Sequence, residues 1–140
     1  FILDYLKGFL SAIWPMIVFH DVSGLVPILG LTGAILGHSF PIYHGFKGGK
    51  GVATGGGGAL VLFPVVGSVI VVLFTLVARL SGKASLGSIS ICVALPLGVA
   101  VTARGWSELL VTVVICAVVL ARHQGNIRRL ATGQEQGWGR

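Results

Sequence analysis

Two lysines and three glycines share the short run Phe46-Lys47-Gly48-Gly49-Lys50-Gly51. That combination suits an anion. Glycines let backbone N–H groups turn inward and come close to a charged oxygen. A helix starting just after them adds the positive end of its dipole, and Lys50 adds a full charge. A phosphate or phosphate ester is the natural ligand for Lys50 and for the amides around Lys47, Gly48, Gly49 and Gly51. A nucleotide-binding P-loop is excluded. It needs Gly, four residues, then Gly-Lys-Ser/Thr, whereas here His44 stands at the first position and Gly51 follows Lys50. The same run also fits a cytoplasmic loop whose lysines orient a membrane protein, and the residues alone leave both readings open.

Other polar residues fall in three further places. Ser85 and Ser88 lie three apart, so both can face one way from a first helical turn. Ser85 is placed to cap that helix. His123 and Asn126 are also three apart and so on one helix face; the imidazole could shuttle a proton or bond a phosphate, and the amide could orient a substrate. His38 and His44 flank Pro41 without the i, i+4 spacing of a helical metal pair, so no metal site is assigned. Asp4 and Lys7, three apart near the start of the chain, suit an interfacial pair that neutralises itself. The run Gly55–Gly58 suits either close helix contact or close approach of backbone to ligand. Cys92 and Cys116 sit in apolar runs and read as small buried hydrophobes rather than as a disulfide.

The elements that must position these residues are set by solvent. Of 140 residues, 54% are hydrophobic and only 10% charged, against about 25% charged in a soluble domain. A bilayer is the fitting solvent, and backbone groups in lipid must be paired internally, so the apolar runs are helices. They span roughly 1–20, 24–40, 65–81, 86–103 and 107–124, with a shorter piece at 52–63 ended by Pro64. That piece decides the topology. If it crosses separately from 65–81, nine of the ten Lys and Arg residues lie on one side, with Arg104 alone opposite. If the two make a single crossing, the split is six to four. The positive-inside rule selects the first arrangement. The sequence therefore predicts an all-α integral membrane protein of about six transmembrane helices, one of them short. The loop at 37–51, the turn at 79–85 and the C-terminal tail then share the cytoplasmic face. The net charge of +6 is accounted for by this topology, and no basic face or aromatic platform suggests nucleic acid.

The motifs, taken in order, resemble a known family. "GHSFPIYHGFKGGKGVAT" is similar to the second signature of the bacterial acyl-phosphate:glycerol-3-phosphate acyltransferases of the PlsY type. "SLGSI" resembles that family's serine-bearing turn, "RHQGNIRRLATGQE" its third signature, and "LDYLKG" the start of its second helix. In the third signature Gln124 and Gly125 replace the usual Arg and acidic residue. The resemblance implies a seven-helix fold, of which residues 1–140 form a single membrane-embedded domain without the first helix and first signature. Residues 1–140 alone are expected to be inactive or nearly so. It implies transfer of a fatty acyl group from acyl phosphate to glycerol 3-phosphate, giving lysophosphatidic acid. Lys50, Ser88, His123 and Asn126 would be catalytic. Lys47, Gly48, Gly49, Gly51, Ser85 and His38 would bind substrate phosphate, with Gly55–Gly58 adding backbone contacts. The donor is an already activated anhydride, so no cofactor is implied. The expected location is the bacterial inner membrane, with the active face toward the cytoplasm. The alternatives are a membrane transporter or channel for an organic phosphate, whose site would lie near the midplane, and an inactive fragment of the acyltransferase.

Overall fold

The computed structural model describes residues 1–20, 25–46, 48–102 and 105–138. These form α1 (Ile2–Phe19), α2 (Leu25–Ser39), a 3-10 turn (Ile42–His44), α3 (Val52–Leu62), α4 (Pro64–Ser81), α5 (Ala84–Thr102), α6 (Trp106–Arg122) and α7 (Gln124–Ala131), with no strand among the described residues. By length and composition α1, α4, α5 and the stretch Leu25–His44 can each cross a membrane, and α6 joins them if α6 and α7 count as one bent span. At 1.5 Å per residue the 11-residue α3 reaches only ~17 Å, about half a hydrocarbon core.

The chain turns between α3 and α4. Leu62 ends α3, and Pro64 opens α4 at a position where its missing N–H costs nothing. The two helices pack together, as do α4 with α5 and α5 with α6. Consequently the start of α3, the start of α5 and the end of α6 meet at one end of the bundle. The interior is mostly apolar: Ala12, Leu31, Ile35, Cys92, Ile115, Cys116 and Val119 form one cluster, and Ala59, Val66, Ile70 and Ile91 a second. Both cysteines are buried and unbridged, as expected. Large apolar side chains such as Leu29, Val65, Val72, Leu97 and Leu110 face outward, which suits lipid rather than water.

Small residues let α1 lie directly on α3. A methyl on Gly57 would land on the Tyr5 carbonyl, and one on Gly8 would land on that of Thr54. With no hydrophobic driving force between helices in lipid, such close backbone contact supplies the packing. Gly58 likewise receives the Leu31 side chain. At Gly57 and Gly58 the run thus serves helix contact, whereas Gly55 and Gly56 have only ordinary neighbours.

Two local expectations are corrected. Ser85 lies inside α5, which begins at Ala84, so it does not cap the helix. The helix expected to run on to 124 stops at Arg122. His123 is the junction, and α7 departs at 58°. His123 and Asn126 therefore do not share the face of one straight helix, although the bend still carries both to the same cavity.

Candidate active site

A cavity of about 580 Å³ opens where these helix ends meet, and its wall includes His38, Gly49, Lys50, Gly51, Ser85, Ser88, His123, Asn126 and Glu135. These residues come from five separate parts of the chain. Lys50 and Gly51 immediately precede α3; Gly51 has φ +78°, a left-handed conformation that glycine adopts without strain. Ser85 and Ser88 lie in the first turns of α5, His123 at the α6–α7 bend, and Asn126 in the first turn of α7.

The polar groups differ in what they have left to offer. His123 is 1% exposed, and its Nδ1 lies 2.8 Å from the Val119 carbonyl. A carbonyl only accepts, so Nδ1 donates and the neutral ring keeps Nε2 as a free acceptor. Burial pushes the His123 pKa below its ordinary value; the Val119 bond opposes this, Lys50 adds to it and Glu135 opposes it. Ser88 donates to the Ala84 carbonyl at 3.0 Å, leaving its oxygen lone pairs to accept. Ser85 Oγ is buried and has no well-aligned hydrogen bond among the described residues. Lys50 is exposed. Desolvation lowers its pKa, attraction from Glu135 raises it, and Arg129 lowers it; the net direction is down.

His38 belongs to a further cluster behind the glycines. Its Nδ1 lies 3.1 Å from Lys7 Nζ and 3.2 Å from Asp4 Oδ1, while Lys7 and Asp4 are 3.5 Å apart. The Asp4–Lys7 pair thus engages a third partner instead of only neutralising itself. A methyl on Gly49 would strike the His38 ring, and one on Gly48 the His38 carbonyl. Gly48 faces this packing rather than the cavity wall. Gly55–Gly58 are likewise away from the polar cavity. Lys47 lies outside the described residues.

Sequence reading missed Glu135. Asn126 Nδ2 donates to its Oε1 at 2.6 Å and Arg129 Nε to its Oε2 at 2.8 Å. Ser85 Oγ lies near enough to the same carboxylate to lower its pKa, without making a full hydrogen bond. Burial raises the Glu135 pKa, but Ser85, Asn126 and Arg129 together outweigh it and bring the carboxyl to about 2. One of only four acidic residues in the chain, Glu135 was the available signal. It lies in a tail with no periodicity, and only the turn at Gly133, φ +72°, carries it back. The tail then reaches the α4–α5 turn, where Trp138 N donates to the Gly82 carbonyl at 2.6 Å and its ring meets Phe74 edge-on at 6.2 Å.

A second cavity of about 390 Å³ adjoins the first, sharing Val52, Ala53, Phe74 and Trp138. Its remaining wall is largely apolar, including Tyr5, Gly56, Ile70, Val71 and Ile91, with Arg79 at its margin. A polar compartment holding Lys50, the Glu135 carboxylate and several amides thus adjoins an apolar one.

Comparison with known proteins gives a consistent result. Residues 1–133 match the family model described as glycerol-3-phosphate acyltransferase. The chain is 36% identical over 135 residues to the glycerol-3-phosphate acyltransferase of Syntrophomonas wolfei, covering 96% of this chain and 68% of the relative. It is 40% identical over 134 residues to that of Fusobacterium nucleatum, with the same coverages. Among solved structures it is similar to the crystal structure of PlsY (YgiH), an integral membrane glycerol 3-phosphate acyltransferase, in its glycerol 3-phosphate form. The TM-score is 0.90 at 33% identity, over 99% of this chain and 68% of that one. The lysophosphatidic acid form of PlsY gives the same score and identity.

Proposed function

This chain belongs to the glycerol-3-phosphate acyltransferase family, and we propose that it transfers a fatty acyl group from acyl phosphate to the primary hydroxyl of glycerol 3-phosphate. It is an all-helical integral membrane enzyme. The products are lysophosphatidic acid and inorganic phosphate, at the first step of phospholipid synthesis. The acceptor oxygen attacks the acyl carbonyl carbon, the bond from that carbon to the phosphate oxygen breaks, and the departing phosphate takes the electron pair and the hydroxyl proton. The protein need supply no nucleophile.

The observation that carries this reading is the junction of the polar 580 Å³ cavity with the apolar 390 Å³ one. A lipid-tailed phosphate needs both environments at once. Lys50 supplies a cation to the phosphate oxygens, and the amides of Lys50 and Gly51 supply dipoles where negative charge grows. Ser88 and His123 Nε2 offer acceptors that can hold the glycerol hydroxyls or a protonated phosphate oxygen. Asn126, once released from Glu135, would orient the acceptor. The acyl chain would lie along Ile70, Val71 and Ile91. The polar groups cluster at helix ends and not at mid-helix, which disfavours a transport site near the membrane midplane.

We place the polar cavity at the cytoplasmic face of the bacterial inner membrane, because that end of the bundle carries Lys50, Arg79, Lys83, Arg122, Arg128 and Arg129. The chain spans about two thirds of the length of its relatives. The decisive assay therefore uses residues 1–140 both alone and extended at the N-terminus by a relative's corresponding segment. Acyl phosphate and glycerol 3-phosphate are supplied in detergent or vesicles. Lysophosphatidic acid and phosphate should form in equal amounts, and failure of both forms to make either product refutes the reading.

A further inference from the structure

Arg122, the last residue of α6, reaches across to the glycine run. Its Nη2 donates to the Gly48 carbonyl at 2.8 Å and its Nε to the Gly49 carbonyl at 3.4 Å. The guanidinium lies over the Phe40 ring at 5.2 Å. One side chain thus joins the end of α2, the glycine run and the end of α6, and the residue after it is the buried His123.

The two carbonyls have consequences for the amides. Among the described residues no peptide bond is cis, so each C=O points opposite to the N–H of the same planar unit. The Gly48 carbonyl faces Arg122, and its partner amide, Gly49 N–H, donates to the His38 carbonyl at 3.1 Å. The Gly49 carbonyl also faces Arg122. Its partner amide, that of Lys50, is therefore turned away from Arg122, and Lys50 and Gly51 line the cavity. A cation on a carbonyl also polarises the peptide and strengthens its N–H as a donor. The planar fork suits two successive carbonyls in a way a lysine ammonium cannot match.

We propose that Arg122 is a positioning residue for glycerol 3-phosphate: it grips the Gly48 and Gly49 carbonyls and so aims the Lys50 amide into the phosphate cavity. It acts through the backbone and touches no substrate atom. This rests on the acyltransferase reading above, in that the anion is taken to be the acceptor's phosphate.

The test compares wild type, Arg122→Met, Arg122→Lys and Phe40→Leu in the N-terminally extended chain. Glycerol 3-phosphate is titrated at saturating acyl phosphate, and its Kd is measured separately by calorimetry. Loss of charge-assisted bonds should raise KM and Kd for glycerol 3-phosphate about tenfold or more in Arg122→Met, with kcat changed less than about threefold. Arg122→Lys should recover part of the loss. Phe40→Leu, which keeps both carbonyl contacts, should weaken binding only about two- to fivefold; it and Arg122→Lys carry the test should Arg122→Met fail to fold. Unchanged KM and Kd in the arginine variants, or a fall in kcat at constant KM, would overturn the proposal. A wild type that binds glycerol 3-phosphate without turnover refutes the acyltransferase reading alone, and the Kd ratios still judge Arg122. A wild type that binds none overturns both.

Discussion

Lys50 enters the polar cavity from its open side, so removing it leaves no stranded partner deep in the protein. The relevant loss is a charge-assisted bond to phosphate, about 1.5–3 kcal/mol, rather than the larger penalty of breaking a buried ion pair. Lys50→Ala is expected to lower kcat/KM by roughly 10- to 100-fold, read by steady-state kinetics with both substrates. Wild-type turnover in that variant would make Lys50 a topology signal only. His123 gives a pH prediction. Its pKa is held below the ordinary 6.5, so the ring is neutral at pH 7 and Nε2 stays available. Protonation on acidification removes that acceptor. The acid limb present in wild type and absent from His123→Gln should therefore fall below pH 6.5, and a limb above that value would contradict the burial argument. The residue types at 48–51, 85, 88, 123 and 126 were legible in sequence because glycine, lysine, serine and histidine stand out in an apolar chain. Arg122 and Glu135 were not, since a terminal arginine and a tail carboxylate have ordinary explanations in any membrane protein.

The short helix α3 is the element on which the site's geometry turns. It brings Lys50 to the bundle end that also holds Ser85, and it does so by lying against α1 with almost no side chain between them. Gly57→Ala places a methyl on the Tyr5 carbonyl; overpacking of this kind costs about 1–3 kcal/mol. A lowered melting temperature in detergent and reduced activity should follow, and an unchanged melting curve would show that α1 and α3 can separate freely. The C-terminal tail is the second such element. Glu135 ties it to α7 through Asn126 and Arg129. Its folded pKa of about 2 lies below the ordinary 4.5. The stability it contributes is therefore present above pH 4.5 and lost as pH falls from there toward 2. Glu135→Gln should melt earlier than wild type at pH 7, and the gap should close on acidification through that range. Apolar run length and Pro64 announce the α3–α4 break in the sequence itself. The bend at His123 had no such announcement, because neither proline nor glycine occupies the junction.

At the scale of the molecule, every proposed contact requires the loop before α3, the start of α5 and the α6–α7 bend to share one side of the membrane. Single cysteines at Lys50 and at exposed Gln124 should both react with a charged maleimide from the cytoplasmic side, with low background because Cys92 and Cys116 are buried. Labelling from opposite sides would dismantle the site. The sequence by itself determined the solvent, the helical class and the break between α3 and α4, and it marked the glycine-lysine run as a place where an anion could bind. These follow from charge scarcity, apolar run length and residue type, all of which are local or additive along the chain. Only the tertiary structure decided that Gly57 and Gly58 serve helix contact, that Glu135 holds Asn126, that Arg122 grips the loop 73 and 74 residues before it, and that an apolar cavity adjoins the polar one. Those depend on helix crossing, on the angle of a bend and on a left-handed glycine in the tail. Distant segments meet only when those dihedrals and packing contacts are satisfied together, and residue order carries no local trace of that.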